Sequence, residues 1–458
     1  MPSGRYTQGR QDPSSPGRFS ARFASGVAWS LAAAVLSQGS TFLVSIVLAR
    51  MLGRGEFGKF ALVQGSMMAL ANMAQLATGY TATKYVAEFR AQQKSRAGGI
   101  AALCLLISAS TAGATAVIML ALAEPLSQSV FKAVELASGM RWGSAYMFFM
   151  ALSVCQIGIL AGLESFRGTA LASAVASGGY AAACIGLAFF VGLKGAFMGL
   201  ALGGLVRYAV YQHQLRRAAK AQDIHLRIAK SHVEAAVLLT FGIPAALSGC
   251  IMACTTWTTS VILTSSAGGF DEMAIFTAAN SFRLLTLFLP NVVNNVALAL
   301  LNHALGHRSE ETYRRGFRYS LGLIALTTTV AAALFAVAAR PLLGFFGRDF
   351  RGGSQVMVLL LASTIFEGLG TALYQLVQSR GRMWLSLLGI VVPRETTLVV
   401  CALLLTRYSG AEGLATAYLV ASAVGLFATV GAVVRISAAL PVLRELWKPE
   451  LPRRPNPR

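Results

Sequence analysis

Residues 97–123 read AGGIAALCLLISASTAGATAVIMLALA, 27 consecutive positions without a charged side chain. As a helix this stretch is about 40 Å long, more than the roughly 30 Å hydrocarbon core of a bilayer. Its apolar residues do not alternate with polar ones, which argues against a strand of a membrane barrel. Its Gly, Ala and Ser residues allow close helix packing in lipid. The stretch therefore reads as a transmembrane helix.

Working outward, the same reading gives twelve spans, at about 23–49, 57–80, 97–123, 140–162, 168–191, 195–214, 233–264, 271–300, 317–339, 353–379, 383–406 and 411–436. Composition agrees: the 458-residue chain is 55% hydrophobic and 12% charged, with mean hydropathy +0.61. Soluble domains are nearer a quarter charged. The first apolar run is too long for a signal-peptide core and lacks a clear small-residue cleavage site. It reads as the first span. The expected fold is an all-α integral membrane protein. A disordered cytoplasmic tail (1–22) precedes a six-helix lobe (23–214), a basic cytoplasmic linker (215–232), a second six-helix lobe (233–436) and a cytoplasmic tail (437–458).

A net charge of +21 invites a nucleic-acid reading. The arrangement of the charge supports a membrane reading instead. The even-numbered loops and both tails hold 27 Lys and Arg, counting Arg207 with the 207–232 segment, and the odd-numbered loops hold 10. Arg283 and Arg394 complete the 39. By the positive-inside rule both termini are cytoplasmic. The segment Gln212–Lys230 reads either as a linker on anionic headgroups or as a partner site.

The halves carry traces of duplication. Ile46-Val47-Leu48 with Gly53 and Glu56 matches Val261-Ile262-Leu263 with Gly268 and Asp271 at an offset of 215 residues. Gly195-Ala196 matches Gly410-Ala411 at the same offset. Six spans per half is an even number, so the lobes have parallel topology about an axis along the membrane normal, enclosing a central cavity.

Polar residues within spans are the candidate lining of that cavity. A cation at bilayer depth costs at least about 2.5–3.5 kcal/mol, so such residues usually face water, cargo or a partner. Arg283 shares a face of about 120° with Asn280, Asn291, Asn294 and Asn295. Gln64, Asn72 and Gln75 share about 80° of span two. Span ten carries a stripe of Ser363, Glu367, Thr371, Tyr374 and Gln378. For Arg283 and Arg394 two readings stand, substrate contact or structural ion pair, with Glu367 as a partner for Arg394. Arg394 and Glu395 are adjacent and are expected to point apart. Glu367 and Glu395 are candidate coupling groups. Pro244, Pro290 and Pro393 favour kinks.

Other chemistry is thinly represented. The six cysteines fall in predicted spans and read as buried apolar thiols. His303 and His307 have i,i+4 spacing but no third ligand, so no metal is expected. No phosphate-binding Gly-rich loop appears, so neither ATP hydrolysis nor a cofactor is expected. An enzyme, such as a membrane polysaccharide polymerase, would need a large extramembrane loop or a cluster of catalytic acids.

The run Ile46–Gly53, then Glu56-Phe57-Gly58-Lys59-Phe60, then Ala77-Thr78-Gly79-Tyr80-Thr81-Ala82-Thr83-Lys84-Tyr85-Val86-Ala87-Glu88, resembles the oligosaccharide flippase family of polysaccharide biosynthesis. That family belongs to a superfamily that includes multidrug exporters. The resemblance implies a non-enzymatic transporter in the bacterial inner membrane. Its cargo would be an oligosaccharide on undecaprenyl pyrophosphate, moved to the outer leaflet by alternating access. The implied partners are this lipid-linked oligosaccharide, membrane lipids and polysaccharide polymerase machinery, with no nucleic acid. A cationic cavity is also implied, with Arg283 its best-placed match and Arg394 a second. The rival of the same fold is a cation-coupled drug exporter. It would require an acid at mid-membrane in the first half, where Glu56, Glu88, Glu124, Glu135 and Glu164 all lie at span ends or in loops.

Overall fold

Three helices in this chain are too long to be straight. In the computed structural model α1 (Pro16–Ala74), α5 (Phe166–Ala221) and α12 (Val392–Ala438) run 59, 56 and 47 residues. Straight, each would exceed about 70 Å, more than twice the thickness of a hydrocarbon core. Each is broken once, at Gly53 (φ 76°), at Gly192 (φ 64°) and at Ser409–Gly410 (φ 50° at the glycine). These backbone angles are open to glycine and strained for other residues. Each long helix is thus two spans joined by a sharp reversal.

The remaining elements are α2 (Thr78–Phe89), α3 (Lys94–Pro125), α4 (Glu135–Gly162), α6 (His232–Thr264), α7 (Gly269–Gly306), α8 (Glu310–Val337), α9 (Ala339–Leu343), α10 (Ser354–Ser379) and α11 (Met383–Ser386). A π-turn, Leu387–Val391, joins α11 to α12. The structure describes the backbone of residues 16–226, 232–306, 310–379 and 383–438, and most side chains within 28–226, 246–291 and 317–435. Counting each broken helix twice, and joining α11 to the first part of α12, the long helices correspond to the twelve expected spans. Eight described helices are long and apolar enough to cross a membrane by length and composition.

Several boundaries differ from expectation. The first helix starts at Pro16 rather than near residue 23. Proline is well placed in a first turn, where its missing N–H is not needed. Span two ends at Ala74 rather than 80, because Leu76 and Ala77 take left-handed backbone angles (φ 47° and 57°). The expected loop after it contains α2, about 18 Å long and too short to span. Gly79 of α2 lies against Gly158 of α4 so closely that a Cβ on Gly158 would stand 2.2 Å from the Gly79 carbonyl oxygen. Thr83 donates its hydroxyl to the Gly158 carbonyl at 2.9 Å. The helix of span six continues through the start of the expected linker as far as Ala221.

The duplication is visible in the backbone, at corrected offsets. Gly192 (φ 64°, ψ −139°) and Gly410 (φ 50°, ψ −125°) share one conformation. Three residues later, Gly195 lies against the Leu187 carbonyl and Gly413 against the Leu405 carbonyl. The offset here is 218, not 215. At the first junction the positive-φ residue is Gly269, not Gly268, which pairs Gly53 and Glu56 with Gly269 and Glu272 at 216.

In the first half α4 packs on α1, α3 and α5; in the second, α10 packs on α7, α8 and α12, and α12 on α6. The halves meet through α1 against α6 and α7. On the side of the odd-numbered loops one apolar core joins them, with Phe42 edge-on to Phe282 at 5.2 Å and Phe57 against Phe346 and Phe350. Arg50 donates to the Phe345 carbonyl at 2.6 Å and Arg54 to that of Asp349 at 3.3 Å. Toward the even-numbered loops the core divides. One cluster, with Val86, Ile159 and Leu215, belongs to the first half, and another, with Phe317, Val377 and Val433, to the second.

Candidate functional site

Inside the second half, three helices bring charged groups together. Arg283 lies 14 residues past the start of α7, Glu367 13 past that of α10, and Arg394 16 before the break at Gly410. At 1.5 Å per residue these are similar depths, about 20–24 Å from the odd-loop ends of their spans. The Arg283 guanidinium donates to Glu367 and to Asn280 Oδ1 at 3.1 Å, and lies 5.1 Å from the Tyr418 ring centroid. Arg283 is 7% exposed. The other Glu367 oxygen is 3.8 Å from Arg394, and Arg394 donates to Glu395. Glu395 is 4% exposed.

The result is an alternating chain from Asn280 through Arg283, Glu367 and Arg394 to Glu395. With all four charged groups ionised its net charge is zero. Burial makes an isolated charge very costly, and pairing with hydrogen bonds is what allows it. Local sequence makes room for the network. The Arg394 stem lies against Gly425, where a Cβ would stand 3.0 Å from Arg394 Cδ. The π-turn at Leu387–Val391 ends just before Pro393, whose ring cannot supply a helix hydrogen bond.

Adjacency was expected to send Arg394 and Glu395 in different directions, yet the two side chains pair. The arginine stem is long and flexible enough to turn back toward its neighbour. The Asn stripe divides: Asn280 holds Arg283, Asn291 is exposed, and the side chains of Asn294 and Asn295 lie outside the described residues. Gln378 likewise lies outside them.

The candidates of span two are not brought to this network. Gln64 donates to the Tyr180 hydroxyl at 2.6 Å, within the first half. Asn72 is exposed, and its carbonyl faces Gly249 of α6. Gln75 is buried, but it follows the end of α1 in the turn before α2, so it does not continue the helical stripe of Gln64 and Asn72.

One cation counted above with the 207–232 segment lies within a span. Arg207 lies 15 residues past Gly192 and 14 before the end of α5, well inside a span. The signal was present: Arg207 falls on the helical face of Gly203 and Tyr211, at i,i+4 spacing.

A model of the family described as "Polysaccharide biosynthesis protein" matches residues 23–299, which is 277 of the 458 residues (299 − 23 + 1). The chain belongs to the polysaccharide biosynthesis protein family. The motifs at Ile46–Phe60 and Ala77–Glu88 fall inside the matched region. In this family member they form the reversal at Gly53, its contact with the second half, and the α2–α4 crossing. The chain is 25% identical over 378 residues to the EPS I polysaccharide export inner membrane protein EpsE of Ralstonia solanacearum, covering 81% of this chain and 83% of that protein. Its fold is similar to an inward-facing multidrug resistance MATE family transporter of the MOP superfamily, with TM-score 0.72, 21% identity and coverage of 92% and 96%. An outward-facing structure of such a transporter gives 0.69, with 21% identity and coverage of 93% and 96%. The all-α, MATE-like membrane fold expected from sequence is thereby established.

Proposed function

We propose that this protein translocates a lipid-linked oligosaccharide, carried on undecaprenyl pyrophosphate, from the cytoplasmic to the outer leaflet of the inner membrane. The observation that carries this reading is the Arg283–Glu367–Arg394–Glu395 network inside the membrane of a polysaccharide biosynthesis family member. Between cargoes the two carboxylates hold the two guanidinium groups charged and oriented. A pyrophosphate offers more negative charge and more acceptor oxygens than a carboxylate, and it matches the guanidinium fork bidentately. On its arrival Arg283 and Arg394 exchange Glu367 for the pyrophosphate. A carboxylate left unpaired in a low-dielectric site is neutralised by a proton, which makes Glu367 and Glu395 the coupling groups of the proposal.

The core that joins the halves near the odd-numbered loops and divides toward the even-numbered ones supports an alternating-access cycle. With both termini in the cytoplasm, the side on which the core divides faces the cytoplasm. The separate cores let the lobes 23–214 and 233–436 rock about the α1–α7 contact, while the lipid tail stays in the bilayer. An inside-negative potential favours outward movement of an anion by about 2.3 kcal/mol per charge per 100 mV.

A second reading, export of organic cations, is favoured by the fold shared with a multidrug transporter. Against it, the described acids deep within the spans of the second half, Glu367 and Glu395, are tied to arginines, and no described acid of the first half lies inside a span. The two readings separate in proteoliposomes. The proposal predicts transfer of a fluorescent undecaprenyl-pyrophosphate oligosaccharide between leaflets by wild-type protein, above empty vesicles. Transport of a fluorescent organic cation without lipid transfer would replace the first reading by the second.

A further inference from the structure

Arg207 stands apart from the other in-span arginines. Arg283 and Arg394 are each paired with carboxylates, whereas Arg207 has no carboxylate partner among the described residues. Its Nε is buried and without a hydrogen-bond acceptor, as is that of Arg283, so the missing carboxylate is what separates the two. The Arg207 guanidinium lies 5.5 Å from the Tyr211 ring centroid. The space is made by glycines on the same helix. A Cβ on Gly203 would stand 2.7 Å from the Tyr180 ring, and one on Gly204 would stand 3.3 Å from Tyr146. Gln64 reaches the same group through the Tyr180 hydroxyl.

Ring faces and tyrosine dipoles moderate the cost of a guanidinium but do not neutralise it. A guanidinium cannot shed its proton, so the charge persists. Intramembrane ionisable residues without a structural partner mark the path of a substrate or ion. Arg207 is about 22 Å from the odd-loop end of its span, the depth of Arg283, Glu367 and Arg394 on the other half. Because the four groups there sum to zero, Arg207 is the uncompensated positive charge at that level among the described residues.

We infer that Arg207, set among Tyr146, Tyr180 and Tyr211, is an anion-binding residue of the first half that contacts the phosphate groups of the cargo. This rests on the reading that the cargo is a prenyl pyrophosphate, and it deepens that reading. The cargo's headgroup would be held from both halves, by a standing charge on one side and by an exchangeable ion pair on the other. Gln64, placed in span two by sequence, enters this site through Tyr180 rather than the Arg283 network.

The test is binding to purified, detergent-solubilised full-length protein, followed by thermal shift and titration. The probes are farnesyl pyrophosphate and inorganic pyrophosphate. Wild type is expected to bind, with Arg207→Gln weakening binding by about tenfold or more, as for loss of one charge-assisted contact. Arg207→Lys should recover part of the loss, and the melting temperature of unliganded Arg207→Gln should not fall. A preference for the farnesyl probe identifies a lipid headgroup as the source of the anion, and equal binding identifies the free phosphate group; the inference holds in both cases if Arg207→Gln weakens binding. Unchanged affinity in Arg207→Gln, with or without a lower melting temperature, would overturn the inference while leaving the anionic-cargo reading standing. Failure of wild type to bind either probe would overturn both.

Discussion

Arg283 of α7 donates to Glu367 of α10, and the same carboxylate faces Arg394 of α12. One acid therefore compensates two cations brought in by two different helices. Removing one partner of a buried pair typically costs about 3–5 kcal/mol, because the other charge is left unmatched. Glu367→Gln should lower the melting temperature of detergent-purified protein by the equivalent of about 3–5 kcal/mol. Arg283→Met combined with Glu367→Leu should be more stable than Glu367→Gln alone. Equal melting temperatures for wild type and Glu367→Gln would show that the pair does not form.

Lys59 provides the contrast. It lies 2.7 Å from both Glu56 and Glu135, and the Glu135 side chain is 62% exposed. Water and salt screen such a pair, and its worth is about 0–1 kcal/mol. Glu135→Gln should change stability by no more than about 1 kcal/mol, and by less at high salt. A loss as large as that of Glu367→Gln would refute this ranking.

Gly58 controls how closely the halves approach. A Cβ at this position would stand 1.9 Å from the Phe270 carbonyl oxygen. Gly58→Ala must therefore part α1 from α7 near the odd-numbered loops. A cysteine placed at Phe346, in the aromatic core between the halves, should react faster with a small membrane-impermeant thiol reagent when Gly58→Ala is added. Equal rates would mean that the contact yields locally without separating the lobes.

The paired reversals at Gly192 and Gly410 give a graded prediction. A Cβ at Gly192 meets nothing within 4 Å, so Gly192→Ala should cost only backbone strain, about 1–3 kcal/mol. At Gly410 a Cβ would stand 2.6 Å from Glu272 Oε2, which accepts the Ala411 N–H at 2.7 Å. Gly410→Ala should therefore be the more destabilising of the two in a thermal melt. The reverse order would show that Glu272 moves aside freely.

Much of the fold was legible because lipid imposes length. A run such as 97–123 has one reading, and repeated along the chain it gives the spans and their approximate ends. Backbone conformation was less legible. The left-handed turn at Leu76 and Ala77 cut span two short and removed Gln75 from its stripe, with neither Gly nor Pro at the break to signal it. The site was legible by residue type but not by partner. Arg283, Arg394, Glu367 and Glu395 stand out as charges in apolar runs, yet their alternation depends on helix packing. Arg207 is harder to read, because in sequence it stands close to the basic segment that begins at Arg216 and is indistinguishable from it by residue type.

The most direct test of the proposed mechanism compares lipid transfer by wild type with that of Arg283→Ala combined with Glu367→Ala, reconstituted at equal protein per vesicle. The double substitution removes a cation and an anion together, so the network stays neutral. The expected result is a variant that folds and reconstitutes like wild type while its transfer of undecaprenyl-pyrophosphate oligosaccharide falls at least about tenfold, the loss of one charge-assisted contact. Transfer at the wild-type rate by the double variant would contradict the claim that the Arg283–Glu367 pair handles the cargo.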